Sequence, residues 1–358
     1  MSFSNKKNKH GDSSKSSPSS LNPKAAEYFL KKKKQDRSVE YFVKKILDGD
    51  RVVLSQAITL VESTRADDQN KAQKIVEACL PHSGNSIRVG ITGIPGVGKS
   101  TFIEALGKHV ISQKKKVAVL AIDPSSSLTK GSILGDKTRM SELSLEKNAF
   151  IRPSPAGDSL GGVARKTRET ILLCEAAGYS TIFVETVGVG QSETAVHSMV
   201  DFFLLLLVPR AGDELQGIKR GIVEMADLLA VNKADGNHLA TAKQTQKEYR
   251  NALHLMPLKE NGIAPKVLTC SALENLGIAE IWSLLIDYQR LTSKRGFFDK
   301  KRKEQSLFWL HEQIGNSLKD FFYKNNKIKK RLEEVEKEVL EGKRNSFDAA
   351  DELLKMFF

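Results

Sequence analysis

The chain has 358 residues, 40% hydrophobic and 28% charged, the balance of a folded globular protein with room for a nucleotide-binding domain and helical additions. Its formal net charge of +13 is carried almost wholly by residues 1–38 (net +7) and 294–303 (net +5), runs that read as a solvated tail and a linker. The rest of the chain is nearly neutral, and no basic face interleaved with aromatics argues for nucleic acid; no apolar run is long enough for a membrane span, and Cys79, Cys174 and Cys270 sit in apolar segments as packed thiols.

Residues 1–23 are rich in Ser, Lys and Asn, lack an apolar signal core and read as a disordered tail. Residues 24–85 read as a helical prefix. A first helix is expected over 25–47, anchored by Tyr28, Phe29, Tyr41, Phe42 and Ile46 and stopped by Gly49. Asp50 caps a second, with Val53, Leu54, Ala57, Leu60 and Val61 on its apolar face. A third runs through Ile75, Val76 and Leu80 to Pro81.

From 86 to 293 short apolar strands alternate with helices. Strands are expected at 87–92, 117–122, 149–152, 181–185, 202–208, 228–232 and 266–270. Helices are expected near 99–113, 161–177, 191–199, 214–225, 239–256 and 276–291. Near-continuous apolar strands such as Phe202-Phe203-Leu204-Leu205-Leu206-Leu207-Val208 are buried on both faces, so the fold class is α/β with a mostly parallel sheet. Ligands then bind at the carboxyl ends of the strands.

After the first strand comes Gly93-Ile94-Pro95-Gly96-Val97-Gly98-Lys99-Ser100, which fits the phosphate-binding loop G-x-x-x-x-G-K-[ST] in its strand–loop–helix context. Glycines let backbone N–H groups converge on phosphate oxygens, and the helix opening at Thr101 points its positive end at them. Lys99 is expected to reach the β/γ-phosphates and Ser100 to ligate Mg²⁺. Asp123 ends the second strand, and Asp136 lies in Gly135-Asp136-Lys137-Thr138. Each approaches the metal or the attacking water, or else is a turn or cap residue.

Glu185-Thr186-Val187-Gly188 resembles the D-x-x-G switch of GTPases with Glu for Asp. The carboxylate would hold Mg²⁺ and the Gly188 N–H would sense the γ-phosphate, the alternative being a Glu that caps the next helix. Val189 stands where a water-orienting Gln could be, with Gln191 two positions later, so intrinsic hydrolysis is expected to be slow. Residues 210–220, with Asp213, Gln216 and Lys219, are either an ordinary connection or a loop coupling nucleotide state to a partner.

Asn232-Lys233-Ala234-Asp235 is the N-K-x-D guanine-reading pattern at the end of a strand. Asp235 can accept from both the ring N–H and the exocyclic amine of guanine. Adenine offers neither, and such a site rejects it strongly. Lys233 would lie on the base face, Asn232 would brace the loop, and Ser271-Ala272-Leu273 would supply a backbone N–H to the guanine oxygen.

Residues 294–303 read as a basic linker, and 304–358 as helices. Leu307, Leu310, Ile314, Leu318 and Phe321-Phe322 share one face, which either caps the chain's own domain or is a dimerisation arm.

Taken together, residues 93–101, 123–126, 131–140, 152–155, 161–168, 185–193 and 232–235 resemble the MeaB/MMAA family, also called ArgK, over about residues 24–358. The resemblance implies a P-loop NTPase fold and a Mg²⁺-dependent GTPase that passes from GTP to GDP. It implies a chaperone of adenosylcobalamin-dependent methylmalonyl-CoA mutase that gates cofactor loading and protects or reactivates the enzyme. It also implies a homodimer joined through the C-terminal arm. Lys99 and Ser100 then bind phosphate and metal, Asp123, Asp136 and Glu185 belong to the metal and switch site, and Gln216 and Lys219 to an additional switch loop. The Lys-rich tail lies outside the family pattern and is unlike an organelle presequence, so a bacterial cytoplasmic protein is expected. The alternatives are a GTPase for nickel-enzyme maturation, to which the seven scattered histidines lend nothing, and a regulator of amino-acid transport that uses ATP.

Overall fold

The computed structural model describes residues 37–122, 140–153, 160–186, 192–209 and 220–357. It opens on three helices, α1 (Val39–Leu47), α2 (Arg51–Glu62) and α3 (Ala66–Cys79). The helix expected over 25–47 does not run through Ser38. That residue is extended (φ −65°, ψ 163°), and its side chain caps α1 by accepting from Tyr41 N at 3.3 Å. Gly49 takes φ +78° after α1, and Asp50 Oδ1 accepts from Val52 N and Val53 N at 2.9 and 3.0 Å to start α2.

The centre is a sheet of seven strands among the described residues: β1 (Ile87–Gly93), β2 (Val117–Ile122), β3 (Ala149–Arg152), β4 (Thr181–Thr186), β5 (Phe202–Leu207), β6 (Leu228–Val231) and β7 (Lys266–Thr269). Their order is β3-β2-β4-β1-β5-β6-β7, and every pair is parallel. Such a sheet needs a helical layer on each face, which is why its strands are apolar throughout.

Alternation along the strands divides the core. Phe203, Leu205 and Leu207 of β5 pack with α1–α3, α6 (Leu160–Ala176), α7 (Ser192–His197), α8 (Arg220–Met225) and α9 (Leu239–His254). Phe202, Leu204 and Leu206 face α4 (Lys99–Ser112), α5 (Ser141–Leu145) and α10 (Ile278–Lys294). Gly90 in β1 is a point of close approach. A Cβ there would sit 2.8 Å from both Phe203 and Val196, so glycine lets α7 lie directly on the central strand.

The chain ends in α11 (Phe297–Lys324), α12 (Asn326–Leu340) and α13 (Ser346–Phe357). Residues 294–303 are not a solvated linker. Lys294 closes α10, Arg295 and Gly296 make the turn, and the remaining basic residues form the first turns of α11. The reason is a buried partner. Arg302 Nε and Nη2 donate to the two oxygens of Asp201 at 2.8 and 2.7 Å, and Lys301 Nζ donates to Asp201 O at 2.9 Å. Asp201 precedes β5 and also accepts from Arg88 N at 2.8 Å. Glu175 completes the cluster, accepting from Arg88 Nε at 2.8 Å, Arg88 Nη2 at 2.9 Å and Gly84 N at 2.8 Å. Burial raises the Glu175 pKa, but Arg88, Ser86 and Gly84 outweigh it and hold the carboxyl below its ordinary range. The network pins α11 to the amino ends of β1 and β5, away from their carboxyl ends.

Candidate guanine-nucleotide site

At the carboxyl end of β1 the loop 93–98 turns into α4. Gly98 adopts φ +91°, and a Cβ on it would meet Asn232 Nδ2 at 2.9 Å. Gly93 leaves no room either, because a Cβ would lie 2.6 Å from Leu206 O. Val97 is buried and anchors the loop, while Pro95, Gly96 and Thr101 face solvent. Lys99 Nζ donates to Gly93 O at 2.7 Å and Ile94 O at 3.3 Å, which holds the ammonium over the start of its own loop.

Glu185 lies in β4, paired with Ile91 of β1. Alternation puts it with Phe183 on the α4 face, and its Oε1 comes within 3.5 Å of Ser100 Oγ. A hydroxyl and a carboxylate converging at the phosphate loop are hard oxygen donors, the set that suits Mg²⁺ completed by phosphate oxygens and water. Among the described residues there is no cluster of three His, Cys, Asp or Glu that could hold a metal, so an ion at this edge would take its described protein oxygens from this pair.

The base-reading loops follow β6 and β7. Asn232 is buried and braces three segments: its Nδ2 donates to Val97 O at 2.8 Å, and its Oδ1 accepts from Ala272 N at 3.0 Å. Ala234 N donates to Cys270 O at 2.9 Å, joining the two loops. Lys233 is exposed, with φ +60°. Asp235 is half-buried and accepts from Ser271 Oγ. Ser271 also pairs with Leu276 in an isolated antiparallel bridge, which closes the loop that carries the exposed Leu273.

The structure thus brings together Gly93, Val97, Gly98, Lys99, Ser100, Glu185, Asn232, Asp235, Ser271 and Ala272 at one edge of the sheet. Asp123, Asp136, Gly188, Asp213, Gln216 and Lys219 lie outside the described residues, as do Val189 and Gln191. The motif reading missed the attachments beneath the site. Trp309 Nε1 donates to Ser198 O at 3.1 Å and Gln305 Nε2 to Val200 O at 2.8 Å, fastening α11 to the chain that leaves α7. A tryptophan amid a run of apolar helix positions was the one available signal. The hydroxyls of Thr92 and Thr186 meet behind the site, on the face away from α4, and the motif patterns leave both positions unspecified.

The comparisons agree with this geometry. Residues 54–327 match the family model described as methylmalonyl-CoA mutase-associated GTPase MeaB. A Mycobacterium tuberculosis protein described as a probable GTPase is 48% identical over 321 residues, covering 90% of this chain and 96% of its own. The mouse mitochondrial methylmalonic aciduria type A homolog is 44% identical over 334 residues, covering 90% and 80%. The crystal structure of an LAO/AO transport system kinase superposes with a TM-score of 0.71 at 37% identity, over 89% of this chain and 97% of that one. The glycine loop, the Asn232 brace and the parallel sheet are therefore those of a P-loop GTP hydrolase, and the chain belongs to the MeaB family of methylmalonyl-CoA mutase-associated GTPases.

Proposed function

We infer that the chain is a Mg²⁺-dependent GTPase that serves as a chaperone of methylmalonyl-CoA mutase. In this reading it gates adenosylcobalamin loading and protects or reactivates its client. The observation that carries the reading is the family match over residues 54–327, joined to a nucleotide edge on which Lys99, Ser100, Glu185, Asn232 and Asp235 converge. When bound, Mg²⁺ would neutralise charge on the transferring phosphoryl group, with Ser100 and Glu185 as its protein-side oxygens. Lys99 would stabilise the same charge, and Asp235 and Ala272 would orient the base.

The chain acts as a homodimer in this account. Support comes from α11, where Leu307, Leu310, Ile314, Leu318 and Phe321 are all exposed along one helix. Among the described residues no helix is long and apolar enough to cross a membrane. A cytoplasmic setting in a bacterium belongs to the same reading, in line with the Mycobacterium tuberculosis relative.

The test is complex formation with adenosylcobalamin-dependent methylmalonyl-CoA mutase. The purified proteins are expected to co-elute, and the rate at which apo-mutase gains cofactor should depend on whether GTP or GDP is present. Absence of a complex in either nucleotide state would defeat the chaperone reading and leave the GTPase standing.

A further inference from the structure

Thr92 stands one residue before Gly93 of the phosphate loop, and Thr186 one residue after Glu185. Both are buried, at 2% and 0% exposure. Alternation turns them away from α4, onto the face where Gly90 meets α7. There the Thr186 hydroxyl donates to Thr92 Oγ1 at 2.9 Å.

The strand register shows what this bond spans. Backbone pairing of β1 with β4 stops at Ile91 and Glu185. Pairing of β1 with β5 runs on to Gly93 and Leu206, and that of β2 with β4 runs on to Ile122 and Thr186. The sheet therefore opens between these two strands just beyond Glu185, where β1 leads on to Ser100. The threonine pair ties the strands across that opening, on the face opposite the nucleotide.

The geometry points to Thr92 and Thr186 as positioning residues for GTP hydrolysis. Their bond fixes the end of β4, and so sets the Glu185 carboxylate at its 3.5 Å approach to Ser100, where the metal would be held. The assignment rests on the reading of this edge as a P-loop GTPase site. Valine has nearly the shape of threonine but no hydroxyl, so it removes the tie with little change in packing volume. The strand carries its own control. Thr181, the first residue of β4, is fully buried, and its Oγ1 has no hydrogen-bond partner among the described residues.

The experiment compares the full-length chain with Thr186→Val, Thr92→Val, Thr186→Ser and Thr181→Val. It reads steady-state GTP turnover and the affinity for a fluorescent GDP with Mg²⁺ and with EDTA. Thr186→Val and Thr92→Val are each expected to lower kcat about fivefold to tenfold, the scale of one lost buried hydrogen bond, with GDP affinity in EDTA unchanged. The gain in GDP affinity on adding Mg²⁺ should shrink by a similar factor. The double valine variant should be no worse than either single one, because both remove the same bond. Thr186→Ser should restore turnover, and Thr181→Val should match the wild type. Should Thr186→Val not fold, Thr92→Val removes the same bond from the other strand. A Thr186→Val or Thr92→Val protein with wild-type kcat and Mg²⁺ response, or a Thr181→Val protein equally impaired, would overturn the assignment. A wild-type chain that binds GDP in neither condition would remove the nucleotide site itself, and the positioning role with it.

Discussion

In the proposed nucleotide site, base selectivity would be set at Asp235. It is half-buried and its carboxylate takes the Ser271 hydroxyl, which leaves acceptor capacity for two donors on a base edge. Asparagine would present an amide N–H in place of one acceptor, a match for xanthine, which carries a carbonyl where guanine carries its amine. Asp235→Asn is therefore expected to weaken GDP by about a hundredfold or more and to improve xanthosine diphosphate, measured by competitive binding. Unchanged preference would place base recognition elsewhere. His197 offers a test at the same scale that is independent of nucleotide. Burial, then the nearby Lys301 and Lys259, outweigh Asp227 and push its pKa from 6.5 down to about 4. The unfolded chain takes up this proton below about pH 6.5, while the folded chain resists until about pH 4. Stability is thus full above 6.5 and falls as the pH drops through that window, by about 3 kcal/mol at most. His197→Asn should flatten the denaturation midpoint between pH 6.5 and 5. Parallel profiles for the two proteins would contradict the assignment.

Among the elements, α11 is the one whose role was hidden in the sequence. Its basic first turns look like a linker because their partner lies far back in the chain. Asp201 is buried at 2% exposure and receives Arg302 as well as the backbone of Arg88. Removing the charge from one side strands the other, so Asp201→Asn is expected to cost about 3–5 kcal/mol in urea denaturation. Pairing it with Arg302→Met should recover much of that loss. The strands were legible for the opposite reason. Sheet strands buried on both faces, as in β5, announce themselves locally, and Asp50 and Gly49 mark a helix boundary by their own chemistry. The phosphate and guanine loops were legible because their function is written in neighbouring residues. The contacts of Thr92 with Thr186 and of Trp309 with Ser198 were not, since each joins residues about a hundred positions apart and depends on a register that only the folded sheet defines. The break at Ser38 is hard to read because apolar anchors stand on both sides of it, Tyr28 and Phe29 before and Tyr41 and Phe42 after, and the cap rests on a single hydroxyl.

In the whole molecule, the carboxyl ends of the strands carry the nucleotide site and the amino ends of β1 and β5 hold α11. The apolar residues along α11 stand clear of their own domain, with Ile314 at 48% exposure and Phe321 at 69%. In the proposed homodimer a second copy would cover this stripe. Light scattering should then give a dimer for the wild type and a monomer for Ile314→Glu with nucleotide affinity kept. A wild-type monomer would refute the arm's role. The proposed dimer and the slow switch expected from Val189, joined to the mutase-associated family, would make this a GTPase whose timing belongs to a client. The most direct test is single-turnover GTP hydrolysis by the purified chain, alone and with methylmalonyl-CoA mutase. The account predicts slow turnover alone and about tenfold or greater acceleration with the mutase, abolished in Lys99→Ala. Equal rates with and without the mutase, or fast turnover by the chain alone, would contradict it.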